Sequence, residues 1–338
     1  MEYQFVNHIV HSSVCVSLII ALSVESDAGV FTFLLDNLGV SGVQFEELIA
    51  LDPSILHSLA PVYGVIFLFR YPTGEKRDEA DKPVDGTFDH DATETLFFAA
   101  QTIQNACGTQ ALMSCLLNQD SQPDIDIGRV LREFKEFTAA LPAEFRGEAF
   151  SNSELIRDVH NSFAKSSPFV DETQRAAAEE DDVYHFIAYT SINGLLYELD
   201  GLQPAPIAHG PCAFSEFPDK VIPVLQRRIG RYSENEIRFN LLAMVRDLRV
   251  KAREIGDVEG LQREETKRNE WRFENALRRH NFVGFAGELL KGVVKEKLDE
   301  APGAYEKWIE DAKAVTKKRL AEQRAKSSGK GDDAGMDA

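Results

Sequence analysis

Cysteine is scarce in this sequence, with only four in 338 residues. So few cysteines in so long a chain do not make a disulfide framework, and their scarcity fits a reducing compartment. None belongs to a Cys-x-x-Cys pair or a Cys/His cluster, and no two histidines are four residues apart, so we expect no metal site. The cysteines are Cys15, Cys107, Cys115 and Cys212.

Glycine-rich loops that cradle phosphates are also absent, and no cofactor is expected. The apolar stretch 14–22 is nine residues long, well short of the roughly 20 residues that a membrane-spanning helix needs. A signal peptide is the alternative interpretation of this stretch, with a small-residue cleavage site at 21–23. However, residues 1–13 contain no Lys or Arg, and a signal peptide begins with a positively charged segment. We therefore treat residues 1–23 as an extension of unknown role.

Basic residues are few in the first part of the chain. The net charge is −18 overall, and residues 1–250 hold 18 basic against 37 acidic side chains, whereas residues 251–338 hold 19 against 18. An acidic region of this size repels phosphate backbones and favours basic partners. We therefore expect no nucleic-acid binding.

A polar turn that contains one cysteine runs into an apolar helix within residues 101–117. Cys107 lies at the predicted start of that helix, where unpaired backbone N–H groups and the helix dipole favour a thiolate. Because a thiolate is a nucleophile, the position suits covalent catalysis. For this stretch alone, a small buried cysteine at the start of a core helix is an equally good interpretation.

A second element is a predicted β-hairpin further along the chain. Residues 185–190 and 195–199 have the pattern of strands, and Asn193-Gly194 is a strong hairpin turn signal. His185 and Asp200 then lie at the outer ends of paired strands and can meet in space. Taken singly, His185 could be a core histidine, Asp200 a turn residue before Gly201, and Gln101 a surface helix residue.

Three elements occur together in a recognisable order. A glutamine, Gln101, precedes the cysteine of Asn-Ala-Cys by six residues, His185 opens a strand, and Asp200 of Tyr-Glu-Leu-Asp-Gly follows that histidine by fifteen residues. This pattern resembles the ubiquitin carboxyl-terminal hydrolases, a family of papain-like cysteine peptidases. The residues 25–31, with Ala28 in place of a proline, are similar to a turn that lies near ubiquitin in that family.

The resemblance implies a role for each of the four residues. Cys107 would be the nucleophile that attacks the carbonyl after the C-terminal glycine of ubiquitin, and His185 the general acid and base. Asp200 would orient the imidazole of His185. The Gln101 side-chain amide and the backbone N–H of Cys107 would form the oxyanion hole.

The resemblance also implies the fold. We expect an α/β (α+β) papain-like cysteine peptidase fold, in which a central, mainly antiparallel sheet is flanked by helices, followed by an all-helical C-terminal domain. The pattern further predicts strands at 62–69 and 236–245 and a helix at 214–229. Residues 165–182, which are small and charged, would be a crossover loop that limits which substrates enter, although composition alone allows a plain connector. The predicted domains are 24–249 (catalytic), 250–325 (helical, partner-docking) and 326–338 (a disordered tail).

The region after residue 250 is similar to the C-terminal domain of the long, proteasome-associated member of the family. Its helix formers and paired charges carry scattered apolar anchors. The resemblance implies ubiquitin and its conjugates as substrates, a proteasomal ubiquitin-receptor subunit and a chromatin-remodelling complex as partners, and a location in the cytoplasm and nucleus without membrane attachment. The anchors are Trp271, Phe273, Leu277, Phe282, Phe285, Leu289, Leu290 and Trp308.

Two other functions remain as alternatives at this point. One is an autoinhibited or non-catalytic scaffold that binds ubiquitin, and the other is a peptidase of the same fold that acts on another tail. The intact set of four site residues argues against permanent inactivity, but it does not argue against autoinhibition.

Overall fold

The computed structural model describes five stretches of the chain: residues 26–70, 83–103, 106–162, 184–232 and 239–328. The extension 1–23, the predicted crossover loop 165–182 and the last ten residues of the predicted tail lie outside them.

The described part of the chain alternates helices with strands. The helices are α1 (Ala28–Asn37), α2 (Pro53–Leu59), α3 (Cys107–Gln119), α4 (Gly128–Thr138), α5 (Ala143–Asn152), α6 (Glu154–Asn161), α7 (Phe217–Ile229), α8 (Leu248–Ile255), α9 (Val258–Arg279), α10 (Val283–Glu300) and α11 (Ala304–Ser328). The strands are β1 (Val43–Glu47), β2 (Val62–Arg70), β3 (Thr87–Phe88), β4 (Tyr184–Ile192), β5 (Leu195–Leu199), β6 (Ile207–Pro211) and β7 (Asn240–Arg246).

The strands form one seven-stranded antiparallel sheet in the order β1-β7-β2-β4-β5-β6-β3. One hydrophobic core, which includes α1 and α3, covers one face, and a second core with α7 covers the other. Burial on both faces explains why 62–69 is a continuous apolar run. The predicted sheet flanked by helices is thus confirmed, as is the helix within 214–229.

The hairpin of β4 and β5 has the predicted two-residue turn. Asn193 and Gly194 both have positive φ, 51° and 82°, which is the backbone that a tight hairpin turn of this hand requires. Such a turn fixes the register of its strands, and Ile192 faces Leu195 at the closed end. His185 and Asp200 therefore lie at the open end.

The last strand of the sheet is shorter at its beginning than we expected. We predicted a strand over 236–245, and the structure describes it from Asn240, while 233–238 lie outside the described residues. The strand lies between β1 and β2 in the interior of the sheet.

The chain divides into two compact units, residues 1–280 and 281–338. This division differs from our predicted boundary between 249 and 250. The reason is α9, which packs on α1 within the first unit: the Arg268 guanidinium bonds Asp36 at 3.2 Å, and the Asn275 amide donates to the Gly29 carbonyl at 3.0 Å. Because these contacts are polar, the composition of α9 suggests a solvated helix and hides the packing.

The second unit is a pair of helices, α10 and α11, that pack against each other. Helix α11 continues to Ser328, two residues into the predicted tail. Helix α10 has no fully buried residue, although its sequence is rich in large apolar side chains. Its exposed apolar residues are Val283, Phe285, Leu289, Leu290, Val293 and Leu298.

Candidate active site

Cys107 is the first residue of α3, the helix that fills one core of the catalytic unit. Its side chain is buried, with 7% of the residue exposed, and the helix behind it is buried along almost its whole length. A helix held this firmly fixes the position of a residue at its N-terminus. The predicted position of the cysteine at the helix start is therefore what the structure has.

His185 and Asp200 meet at the open end of the β4–β5 hairpin. The Nε2 atom of His185 lies 2.7 Å from Oδ1 of Asp200, and both side chains are almost completely buried. The carboxylate of Asp200 also accepts a hydrogen bond from the backbone N–H of Leu202 at 2.9 Å. These two bonds fix the carboxylate toward the imidazole.

Cys107 completes this group, because its thiol is hydrogen-bonded to the His185 side chain. Since Nε2 of His185 is bonded to Asp200, the other ring nitrogen, Nδ1, faces the thiol. The structure thus brings together three of the four residues that the sequence singled out. They come from α3, from the start of β4 and from the residue after β5.

The buried imidazole is held in its charged form. Burial alone would lower the pKa of His185, but the hydrogen bonds and charges of Asp200 and Cys107 raise it to about 9. Burial would likewise raise the pKa of Asp200, and the hydrogen bond and charge of His185 hold it below its usual value. Near pH 7 the ring therefore carries its proton, and the arrangement suits a thiolate–imidazolium pair oriented by a carboxylate.

The other described cysteines have different surroundings. Burial raises the pKa of Cys115, in the middle of α3, to about 12, and burial also raises the pKa of Cys212. Neither thiol is activated by a histidine in the structure's listed hydrogen bonds, and Cys212 donates only to a backbone carbonyl. Both are suited to packing rather than nucleophilic attack.

Gln101 is anchored next to the same turn as Asp200. Its backbone N–H donates to the carbonyl of Gly201 at 2.7 Å, and its side-chain amide donates to the carbonyl of Ile103 at 3.2 Å. An amide NH₂ has two donors, and the second bond uses one of them. The structure therefore places Gln101 at the site, and its role as an oxyanion donor stays a prediction.

Gly201 and Gln110 are part of this framework, and the sequence gave no signal for Gln110. The Gln110 amide on α3 donates to the Ala99 carbonyl. A Cβ atom on Gly201 would lie 2.2 Å from Nε2 of Gln110 and 3.0 Å from the backbone nitrogen of Gln101. Only glycine allows this close approach, which joins the nucleophile helix to the turn after Asp200.

Two further features were searched for in the described part of the chain. No group of three or more His, Cys, Asp or Glu side chains there could hold a metal ion. Likewise, none of the helices within the described ranges combines the length and the apolar character needed to cross a membrane.

Comparison with protein families gives two matches. Residues 22–230 match the family described as ubiquitin carboxyl-terminal hydrolase, family 1, and residues 255–298 match a second one described as ubiquitin carboxyl-terminal hydrolases. Among curated proteins, ubiquitin carboxyl-terminal hydrolase 2 of Schizosaccharomyces pombe is 49% identical over 298 residues, which are 86% of this chain and 96% of that protein.

Two solved structures also resemble the chain. The Trichinella spiralis UCH37 catalytic domain bound to ubiquitin vinyl methyl ester is 42% identical, with a TM-score of 0.57, and the match covers 67% of this chain and 96% of that one. Trichinella spiralis UCH37 bound to the same ubiquitin derivative is 35% identical, also with a TM-score of 0.57, over 76% of this chain and 99% of that one.

Proposed function

Because this chain belongs to the ubiquitin carboxyl-terminal hydrolase family, whose members are thiol-dependent cysteine peptidases, we propose that Cys107, His185 and Asp200 carry out its deubiquitinating reaction. The single observation that supports this most strongly is the bridge that His185 makes between the Cys107 thiol and the Asp200 carboxylate.

The first half of the reaction makes a thioester. The Cys107 thiolate attacks the carbonyl carbon after the C-terminal glycine of ubiquitin, and the negative charge moves to the carbonyl oxygen. The Gln101 amide and the backbone N–H of Cys107 are the proposed donors to that oxyanion. When the tetrahedral intermediate collapses, the His185 imidazolium gives its proton to the leaving group, and the carbon–nitrogen bond breaks if that group is an amine.

The second half regenerates the enzyme. The now neutral imidazole of His185 removes a proton from water as the water attacks the thioester carbonyl. Collapse of the second intermediate releases the ubiquitin carboxylate and the Cys107 thiolate. Throughout, Asp200 keeps its charge and holds the ring in one orientation, so that Nδ1 always faces the sulfur.

The assignment is tested with a ubiquitin derivative that carries an electrophile at its C-terminus. The full-length protein is expected to form a covalent adduct, Cys107→Ala to form none, and Cys115→Ala to form as much as the parent chain. Intact-mass spectrometry measures the adduct. Undiminished labelling of Cys107→Ala would falsify the assignment, and a parent chain that binds ubiquitin without reacting would favour the scaffold alternative.

We further propose that residues 281–328 dock the enzyme on a proteasomal ubiquitin-receptor subunit. The support is the second family match together with the exposed apolar side chains of α10, such as Phe285, Leu289 and Leu290. Exposed apolar clusters of this kind mark interaction surfaces, and long-range charge steering is weak because the region 251–338 is nearly neutral.

The docking proposal is tested by truncation after His280. The truncated chain is expected to label with the ubiquitin probe but no longer to co-purify with proteasomes, and retained co-purification would place docking in residues 1–280. A chromatin-remodelling complex is a further proposed partner, and cytoplasm and nucleus are the proposed locations. Co-purification from separated nuclear and cytoplasmic fractions tests both of these proposals.

A further inference from the structure

Arg228 is a buried cation close to the candidate active site that the reaction described above does not use. It lies near the end of α7, and only 14% of its side chain is exposed. Its neighbour Arg227, in contrast, is 53% exposed and pairs with Asp85 at the surface. Burying a guanidinium costs free energy unless its partners are well placed, so the environment of Arg228 needs an explanation.

The guanidinium of Arg228 is held in place by Glu198. This carboxylate on β5 is buried, with 3% of the residue exposed, and it forms an ion pair with Arg228. It also accepts a hydrogen bond from the Tyr189 hydroxyl at 2.9 Å and lies 3.2 Å from Nε2 of His209. With this many partners the carboxylate has one orientation, and it gives one orientation to the arginine.

The held guanidinium lies over an aromatic ring. Its central carbon is 4.7 Å from the centre of the Phe69 ring, the geometry of a cation–π contact. Phe69 is buried near the end of β2. Its ring is therefore fixed on one face by a charge that is itself fixed.

Phe69 in turn contacts the catalytic imidazole. Phe69 and His185 are directly paired across β2 and β4, and their ring centres lie 5.7 Å apart at an interplanar angle of 83°. This edge-to-face arrangement is a preferred geometry for two rings, so it favours one setting of the imidazole plane. That setting is the one in which Nε2 of His185 reaches Asp200.

We propose that Arg228 is a positioning residue that acts on His185 through the Phe69 ring. Glu198 is the anchor of this arrangement, and it stands only two residues before Asp200 on the same chain segment. The imidazole is thus set by two connections to one segment, directly through Asp200 and indirectly through Arg228. The inference rests on the proposed role of His185 in the reaction.

Charge adds to the geometry. The positive charge of Arg228 helps to keep the pKa of Asp200 low, after the larger effects of burial and His185, and an ionised Asp200 is the form that holds the imidazolium. The titratable groups that face His185 are Asp200 and Cys107. Those that interact with Arg228 are Glu198, Tyr189, Asp200 and Tyr232, while His209 interacts with Glu198.

The test uses variants that keep the charge balance of the buried cluster. Arg228→Lys retains the positive charge but loses the planar stack, and Phe69→Leu retains an apolar side chain but loses the ring. Arg227→Lys is the matched control on the same helix. For the full chain and ubiquitin with a fluorogenic C-terminal amide, we expect each site variant to lower kcat by about 10- to 100-fold with KM unchanged, the usual cost of a misplaced catalytic group.

A double variant separates positioning from general loosening. If Arg228 acts through Phe69, the double variant is no slower than the slower single variant, and the alkaline limb of the kcat profile moves to lower pH in all three as Asp200 loses its hold on the ring. Thermal melting verifies that each variant is folded. The control is expected to match the parent chain in every measurement.

Three results would overturn the inference: folded variants with unchanged kcat, effects that simply add in the double variant, or a rise in KM alone. His185→Asn, assayed beside them, distinguishes this failure from failure of the proposed function. If His185→Asn keeps its activity, the reaction scheme is wrong. If it is inactive while Arg228→Lys and Phe69→Leu keep the parent kcat, the scheme stands and the positioning role is wrong.

Discussion

Helices α9 and α10 follow each other in the chain and have similar compositions, yet they have opposite surroundings. Helix α9 is attached to the catalytic unit by buried polar side chains: Arg268 is 5% exposed and Asn275 is 1% exposed. Helix α10 has no fully buried residue and exposes large apolar side chains, among them Phe285 at 62%. In α9 the polar residues are inside, and in α10 the apolar residues are outside.

The difference teaches that the catalytic unit ends at a contact and not at a change of composition. Arg278 illustrates this, because its guanidinium bonds both carboxylate oxygens of Asp27, at 3.3 and 3.0 Å. Asp27 is also the N-cap of α1. One arginine of the C-terminal extension therefore holds the first turn of the catalytic unit, and it reads in the sequence as one charge among many.

Truncation tests the comparison with the largest expected effect. Ending the chain after residue 249 removes α9 and leaves the buried face of α1 and the Asp247 carboxylate without Arg268, so we expect a loss of more than about 5 kcal/mol in the free energy of unfolding. Chemical denaturation and soluble yield measure it. The chain ended after His280 is the control and is expected to fold, and equal behaviour of the two would remove the distinction between α9 and α10.

Replacing Arg268 is the next largest test. Its guanidinium lies 3.2 Å from Asp36 and 3.6 Å from the buried Asp247, so Arg268→Met leaves a buried carboxylate with fewer partners. We expect a loss of about 2–3 kcal/mol in unfolding free energy, because breaking a buried pair is costly. Arg263→Met, at an exposed position of the same helix, is the control. A loss of similar size for both arginines would mean that the buried pairs are not what attaches α9.

Leu289 and Leu290 of α10 are expected to affect stability least. Both are more than half exposed, so Leu289→Lys combined with Leu290→Lys should change the unfolding free energy by less than about 0.5 kcal/mol. Proteasome co-purification should nevertheless be lost. A large fall in the melting temperature instead would show that these side chains belong to a core.

The pH dependence should not distinguish the two regions at all. His185 has a pKa raised to about 9, so its proton is present below that pH and lost above it, and with it the group that protonates the leaving amine. We expect kcat to fall as the pH rises through about 9, both in the full chain and in the chain ended after His280. A displaced limb in the shorter chain would show that residues 281–338 act on the imidazole.

Much of the candidate site could be predicted because its residues are tied to local signals. Asn193-Gly194 sets a hairpin turn, and the turn sets which residues stand at the open end. The polar stretch before Cys107 marks a helix start in the same way. These signals depend on neighbours in the chain, and the sequence displays neighbours directly.

Contacts between distant side chains could not be predicted in this way. Gln110 occupies a helix that is buried all round, and nothing in its local sequence indicates that it reaches the Ala99 carbonyl. Arg228 follows another arginine and has the pattern of a solvated helix end, yet one is buried and the other exposed. Which of two adjacent charges turns inward depends on Glu198, thirty residues earlier.

The strand order has a consequence for how the protein is made. Strand β1 pairs only with β7 in the sheet order, and about 200 residues separate them in the chain. At roughly 5–20 residues per second, the ribosome takes about 10–40 s to supply the partner of β1 after β1 has been synthesised. During that time Val43 and Phe45, which end up fully buried, have no partner strand. The nascent chain must therefore be kept from associating with other chains until its last strand emerges.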